Sequence, residues 1–340
     1  MSREYSSPLA DKKRAFLDQQ RSLGFKANDI ESALSTIDRF FRSIEFSGEH
    51  VDKDLYDKWL KAEYAKCQTS TTLYQHVSIF RRFLLFMTGM GYPCHIPRLP
   101  AANRNQHVPY IYSEDEMSRI FEASDRLRAR EHHSESVMIA IPALIRLLYS
   151  TAARVSEGLS ILNEDVDFGR HAIVLNDTKN GCQRLIPMNP SLEEVLRQYI
   201  GYRDRLPVEG VAAPSSRLFV SSLGLPISRR TVGKYFVKIL DDAGIPYKSG
   251  YQGPRIHDLR HTACVQALKR LAMAGQDVYC ALPKISVYMG HKKVADTEYY
   301  LRLTAELFPE IIKLDSTVTA CIATTLRNCV VNADGEDKIG

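Results

Sequence analysis

Between residues 92 and 112 the chain loses its hydrophobic period and carries Pro93, Pro97, Pro100 and Pro109. Proline fixes φ and has no N–H, so such a stretch continues neither a helix nor a central strand. It reads as a linker, and apolar side chains must gather into separate cores on either side of it. The expected boundaries are a first domain over 1–92, the linker over 93–112, a second domain over 113–308 and a tail over 309–340.

Before the break the pattern is helical. Asn28 with Glu31 three residues later reads as a capping box. Ile30, Ala33, Leu34, Ile37, Phe40, Phe41 and Ile44 then recur at helical spacing. Leu73, Val77, Phe80, Leu84 and Met87 repeat the pattern, which stops at Gly89, Gly91 and Pro93. Shorter helical patterns surround Phe16 and run from Leu55 to Tyr64. A bundle of about four helices is expected.

After the break, Ser113 and Glu116 read as the cap of a new helix. Met138 to Ala153 is the most apolar stretch, but Arg146 interrupts it and it is short for a membrane span. His171 to Leu175 and Arg184 to Ile186 flank Asn180-Gly181 and read as a hairpin. Leu218 to Val220 reads as a further short strand. Helical patterns return at 229–243, 257–273 and 295–328. The expected fold is mainly α with a small β-hairpin, in two domains.

Composition excludes several classes. The chain is 44% hydrophobic and 25% charged, which fits neither a collagen-like nor a disordered polymer. Its seven cysteines are odd in number and form no Cys-x-x-Cys pair, so neither a disulfide framework nor a zinc ribbon is expected. The opening Met1-Ser-Arg-Glu-Tyr5 lacks the apolar core of a signal peptide. The expectation is a soluble cytoplasmic protein.

The net charge of +5 hides blocks. Residues 1–112 hold 16 basic and 12 acidic side chains, 113–178 hold 7 and 12, 179–238 hold 10 and 4, and 254–302 hold 8 and 4. Such blocks arise on ordinary solvated surfaces, and they also suit a surface that follows phosphates.

Four segments carry residues suited to chemistry. Ser150-Thr-Ala-Ala-Arg154-Val-Ser-Glu157 places an arginine near the end of an apolar helix, with Glu157 one turn on. Asp177-Thr-Lys179 sits at the hairpin tip. His257, Arg260 and His261 share one helix face at i, i+3 and i+4. Met289-Gly-His291 precedes Thr297, Tyr299 and Tyr300 on a new helix. Each has an ordinary structural reading: a surface ion pair, a solvated turn lysine, helix-surface histidines, half-buried aromatics. His257 and His261 also have zinc spacing. Against a zinc site, Asp258 stands where the metalloprotease pattern needs Glu, and Arg260 on the same face repels a dication.

Together, Arg154, Lys179, His257-Asp-Leu-Arg260, Gly290-His291 and Tyr300 nine residues later resemble the tyrosine recombinases, or phage integrase family. The resemblance covers about 113–305, with the first domain resembling their helical, SAM-like core-binding domain. Ala152 stands where the family often has Gly. The hairpin lacks the family's flanking glycines and second lysine, although Lys179 and Arg184 keep their spacing.

The resemblance implies a site-specific recombinase or integrase that cleaves and rejoins DNA through a 3′-phosphotyrosyl link, in the service of a mobile element. Tyr300 would be the nucleophile, and the nine-residue spacing selects it over Tyr299. Arg154 and Arg260 would hold the phosphoryl oxygens, His291 would add a hydrogen bond, and Lys179 would protonate the leaving oxygen. His257 would accept the tyrosine proton or bind the phosphate, and Glu157 would orient the cations. No metal or other cofactor is required. The partners implied are double-stranded DNA with inverted-repeat core sites and further copies of the chain, from dimer to tetramer, with no membrane. Arg81, Arg82, Arg184, Arg229, Arg230 and Lys234 are the expected DNA contacts, and the tail would dock on a neighbouring subunit. The rival readings are a type IB topoisomerase, a DNA-binding regulator with an inactive site, and a zinc hydrolase.

Overall fold

The computed structural model describes residues 5–25, 27–66, 70–100, 108–127, 136–176, 183–247, 253–291 and 293–308. The chain divides into two compact units, Met1–His107 and Val108–Gly340. No helix of the described residues is long and apolar enough to cross a membrane.

The first unit holds α1 (Ala10–Ser22), α2 (Asn28–Ser43), α3 (Lys53–Lys66) and α4 (Ser70–Gly89). The apolar face foreseen for α2 is the buried one: Ile30, Ala33, Leu34, Ile37, Phe40 and Phe41 all point inward. Its expected start is one residue late. Ala27 is the N-cap, with no side-chain cap, and Glu31 instead pairs with Arg21 of α1 at 3.5 Å. Trp59 meets Phe80 edge-on at 4.5 Å, and Phe16, Phe41 and Phe83 complete an aromatic core. Within that core Lys13 pairs with Asp38 at 2.5 Å, while Asp38 also accepts from the Ser6 and Ser7 amides. A buried pair of this kind is tolerated because its remaining hydrogen-bonding groups are satisfied.

The start of the proline-rich stretch belongs to this unit. Cys94 and Ile96 pack on the bundle core, and the His95 amide donates to Val51 O at 2.8 Å.

The second unit opens with α5 (Glu114–Asp125), whose capping box is formed by Ser113 and Glu116 as expected. Next come α6 (Ile141–Thr151), α7 (Val155–Ser160), β1 (Val166–Asp167), β2 (Ala172–Leu175) and β3 (Arg184–Pro187). The strands form one antiparallel sheet in the order β1-β2-β3, with Leu175 opposite Arg184. The hairpin therefore exists, with an added short strand; its tip, including Lys179, lies outside the described residues.

After the sheet come α8 (Pro190–Arg203), α9 (Arg229–Asp242), α10 (Asp258–Met273), α11 (Val278–Met289) and α12 (Ala295–Leu307). Helix α10 packs on α6, α11 and α12, while α5 packs on α6 and α9. Two of these helices were not foreseen. Helix α8 starts where Asn189 caps Leu192 N at 2.8 Å with Pro190 in the first turn. Helix α11 contains Pro283, which argues against a helix from sequence alone, yet Asp277 caps its start through the Tyr279 and Cys280 amides. The expected strand at Leu218–Val220 is a buried irregular segment with isolated bridges at either side. Side chains take the place of a ladder there: Leu218 O accepts from Tyr199 Oη at 3.1 Å and from Arg203 Nη1 at 3.0 Å. The expected helix 295–328 is described as far as Leu307; the remainder lies outside the described residues.

Candidate active site

Four helix ends and a strand meet in the second unit. Helix α6 stops because Ala152 adopts a left-handed conformation, φ 50°. The chain turns, and Arg154 becomes the extended N-cap of α7 instead of lying within the apolar helix. Its amide donates to Glu157 Oε2 at 2.8 Å and its guanidinium to Oε1 at 2.6 Å. Arg184, the first residue of β3, reaches the same carboxylate, donating to Oε2 at 2.7 Å and Oε1 at 3.3 Å. Glu157 is only 1% exposed. Burial alone would raise its pKa, but hydrogen bonds from Arg184 and Arg154 override that and hold the carboxyl below its usual range. One carboxylate thus contacts both the Arg154 and the Arg184 guanidinium.

Arg260 is buried on α10, and among the described residues no carboxylate pairs with it. Its guanidinium donates to Ala152 O at 2.5 Å and to Met289 O at 2.6 Å. These carbonyls end α6 and α11, where the helix dipoles concentrate negative charge. Burial and repulsion from Arg154 bring its pKa down to about 10, so it remains a cation at neutral pH.

His257 and His291 flank these arginines. His257 is the N-cap of α10. Desolvation by the surrounding chain, then the charges of Arg260, Arg255, Arg154 and Arg229, push it down to about 4. Its side chain is exposed, so water weakens both the desolvation and the guanidinium repulsions. His291 follows Gly290, which ends α11 in a left-handed conformation, φ 66°. The left-handed turn favours glycine, and a Cβ at Gly290 would press on Arg184 Nη1 and displace that guanidinium. His291 Nδ1 lies 2.7 Å from the buried Thr297 hydroxyl, and burial followed by the Arg260 charge lowers it to about 4. Both rings are therefore neutral at pH 7 and able to give a hydrogen bond without adding charge.

Tyr300, on α12, is 4% exposed. Its ring runs nearly parallel to His291, at 9° and 6.1 Å between centroids. Burial, with Cys264 and Tyr299 adding to it, holds the phenol well above its ordinary range, while Arg260 and Arg154 pull the other way. Its hydroxyl lies 2.6 Å from Nδ1 of His261, a residue not among the expected site members. The signal was present, since His261 shares the helix face of His257 and Arg260, but its partner arrives from 39 residues away. Tyr299 is half-buried, with Arg302 over its ring at 5.4 Å.

The structure thus brings Arg154, Glu157, His257, Arg260, His291 and Tyr300 together and adds His261 and Arg184. Arg184, expected at the DNA surface, is instead half-buried with its guanidinium against Glu157 and Gly290, and its Nε has no partner among the described residues. Arg229, Arg230 and Lys234 are exposed at the start of α9. Arg81 and Arg82 are half-buried within the bundle: Arg81 Nε donates to Pro97 O at 3.1 Å, and Arg82 bonds to Gln20. Chemically, cationic forks beside a buried phenol and neutral imidazoles can bind a phosphodiester and stabilise charge developing on its oxygens.

A family model, the phage integrase family, matches residues 111–306. A Sinorhizobium fredii protein described as an integrase/recombinase is 28% identical over 303 residues, covering 88% of this chain and 94% of its own. Tyrosine recombinase XerC of Bacillus subtilis is 25% identical over 253 residues, covering 73% of this chain and 76% of its own. Among solved structures, a lambda integrase dimer bound to a core site matches with TM-score 0.60 at 16% identity, covering 85% of this chain and 94% of that one. XerH bound to its difH substrate after cleavage matches with TM-score 0.58 at 16% identity, covering 87% and 82%.

Proposed function

Because the chain belongs to the phage integrase family, we propose that it recombines DNA at specific sites through a covalent bond between Tyr300 and a 3′-phosphate. The observation that carries this reading is the single cluster formed by Arg154, Arg260, His257, His291 and Tyr300 from three separate stretches of chain. Tyr300 Oη attacks the scissile phosphorus, and the P–O5′ bond breaks as the Oη–P bond forms. Arg154 and Arg260 neutralise the charge that grows on the phosphoryl oxygens, and His257 and His291 add uncharged hydrogen bonds. Lys179 is the proposed acid that protonates the 5′-oxygen. The phosphodiester energy stays in the tyrosyl ester, so the free 5′-hydroxyl of another strand can reverse the step.

The partner proposed is duplex DNA with inverted core sites, bound by further copies of this chain, with exposed Arg229, Arg230 and Lys234 along the phosphates. Service to a mobile element is the biological role we favour. Its support is similarity along most of the chain to the Sinorhizobium fredii protein and to a Tn1549 transposon integrase solved with transposon right-end DNA, TM-score 0.59. A type IB topoisomerase would share the tyrosine chemistry without pairing two sites.

The test is capture of denaturation-resistant adducts on a pool of nicked duplexes with randomised inverted half-sites. The wild-type chain should enrich one sequence as a Tyr300-linked adduct, and Tyr300→Phe should form none. An adduct on Tyr300→Phe removes the nucleophile assignment; no adduct from wild type on any member removes the recombinase reading.

A further inference from the structure

We propose that His261 is the proton acceptor of the Tyr300 hydroxyl, a role that rests on the reading of Tyr300 as nucleophile. The geometry points to it first. The Tyr300 oxygen and His261 Nδ1 are 2.6 Å apart, within the distance at which a proton passes directly. The two rings are tilted by 31° with centroids 5.5 Å apart, so the contact is a polar one between Oη and Nδ1 and not a parallel stack.

The other histidines are placed differently. His257 meets His261 edge-to-face at 4.9 Å, and no bond joins it to the phenol. It sits where the charges of Arg260, Arg255, Arg154 and Arg229 oppose a second positive charge. His291 has its Nδ1 on Thr297 and meets Tyr300 only face to face. These two rings suit phosphate contact, whereas His261 suits proton transfer.

The surroundings supply the rest of the acid–base logic. Helix α10 contributes His257, Arg260 and Cys264 around this pair, α12 contributes Tyr299 beside Tyr300, and Arg154 acts on the phenol from α7's start. A buried phenol beside an imidazole stays neutral at rest, which keeps the nucleophile silent until a phosphate arrives. On attack the Oη–H proton moves to His261 Nδ1, the Oη–P bond forms, the P–O5′ bond breaks, and the 5′-oxygen takes a proton from its own acid. On rejoining, His261 returns its proton to the departing phenoxide.

The experiment measures adduct formation from pH 6 to 10 on the nicked duplex recovered from the randomised pool. It compares the full-length wild-type chain with His261→Gln and with His261→Ala, with and without added imidazole. At pH 7 His261→Gln should form the Tyr300 adduct about 100-fold more slowly. That deficit should shrink as pH rises, because hydroxide then removes the phenol proton, and imidazole should restore much of the rate to His261→Ala. A rate and pH profile equal to wild type overturn the role, as does a loss that is constant across pH and unrelieved by imidazole. A second measurement needs no His261 variant: the imidazole titration of His261, followed by NMR, should shift in Tyr300→Phe, and an unmoved titration overturns the contact. Failure of wild type to form any Tyr300 adduct sinks the recombinase reading itself; a normal wild-type adduct with unaffected His261 variants sinks only this inference.

Discussion

Arg184 lays its guanidinium across both oxygens of Glu157, at 2.7 and 3.3 Å, and the carboxylate it grips is the one that also holds Arg154. One anion thus sets the position of two cations. Replacing Glu157 by Gln removes the charge while keeping the shape. Two arginines are then left near Arg260 without a compensating carboxylate, and leaving such charges buried costs about 3 kcal/mol. We expect Glu157→Gln to unfold at lower urea by that amount and to cleave about 100-fold more slowly through misplacement of Arg154. Equal urea midpoints for the two proteins would remove Glu157 from this role.

The turn that delivers Arg154 carries strain. Ala152 has φ 50°, and an L-residue held there costs about 1–2 kcal/mol. Glycine avoids that cost but brings a looser unfolded chain, an opposing effect of about 0.5–1 kcal/mol. Glycine also removes a methyl buried in the apolar cluster, worth about 0.8 kcal/mol, so the effects nearly cancel and Ala152→Gly should leave stability within about 0.5 kcal/mol of wild type in urea titration. Its carbonyl still accepts from Arg260, so adduct formation should be maintained. Ala152→Val should destabilise the protein, since β-branching makes the left-handed turn worse.

Neutral His257 and His291 give the fold a pH dependence of known sign. Each is lowered from 6.5 to about 4, so the unfolded chain binds more protons than the folded one between those values. Their contribution to stability is complete above pH 6.5 and is lost as pH falls through 6.5 toward 4. Exposed His257 gives the smaller part because water screens it. Urea midpoints should therefore fall between pH 7 and pH 5, and His291→Gln should flatten that slope. A slope identical in the variant would show that His291 titrates as it does in the unfolded chain.

Local signals were readable without coordinates. The face of α2, the Ser113–Glu116 cap, the two strands of the hairpin and the start of α10 follow from spacings of two to four residues. The grouping of His257, Arg260 and His261 on one helix face is of the same kind. Where a local rule misled, a longer-range contact overruled it. Pro283 sits inside α11 because the helix is capped at Asp277 and buried along Val278, Leu282 and Ile285. Glu31 leaves its expected cap for Arg21 on another helix. Leu218–Val220 forgoes a ladder, with the Leu218 carbonyl taken by Tyr199 and Arg203 and its amide by Ile161 O.

The sequence by itself determined the helical first domain, the break after it, and the types and order of the residues fit for phosphoryl chemistry, because backbone periodicity and motif spacing are properties of neighbouring residues. The tertiary structure alone decided which groups touch. It turned the Arg184 guanidinium onto Glu157, it put the Arg260 charge between the carbonyl ends of α6 and α11, and it set His261 on the hydroxyl of Tyr300. Those pairings join residues from 27 to 108 positions apart, so they depend on how helix ends meet in space and not on any spacing along the chain.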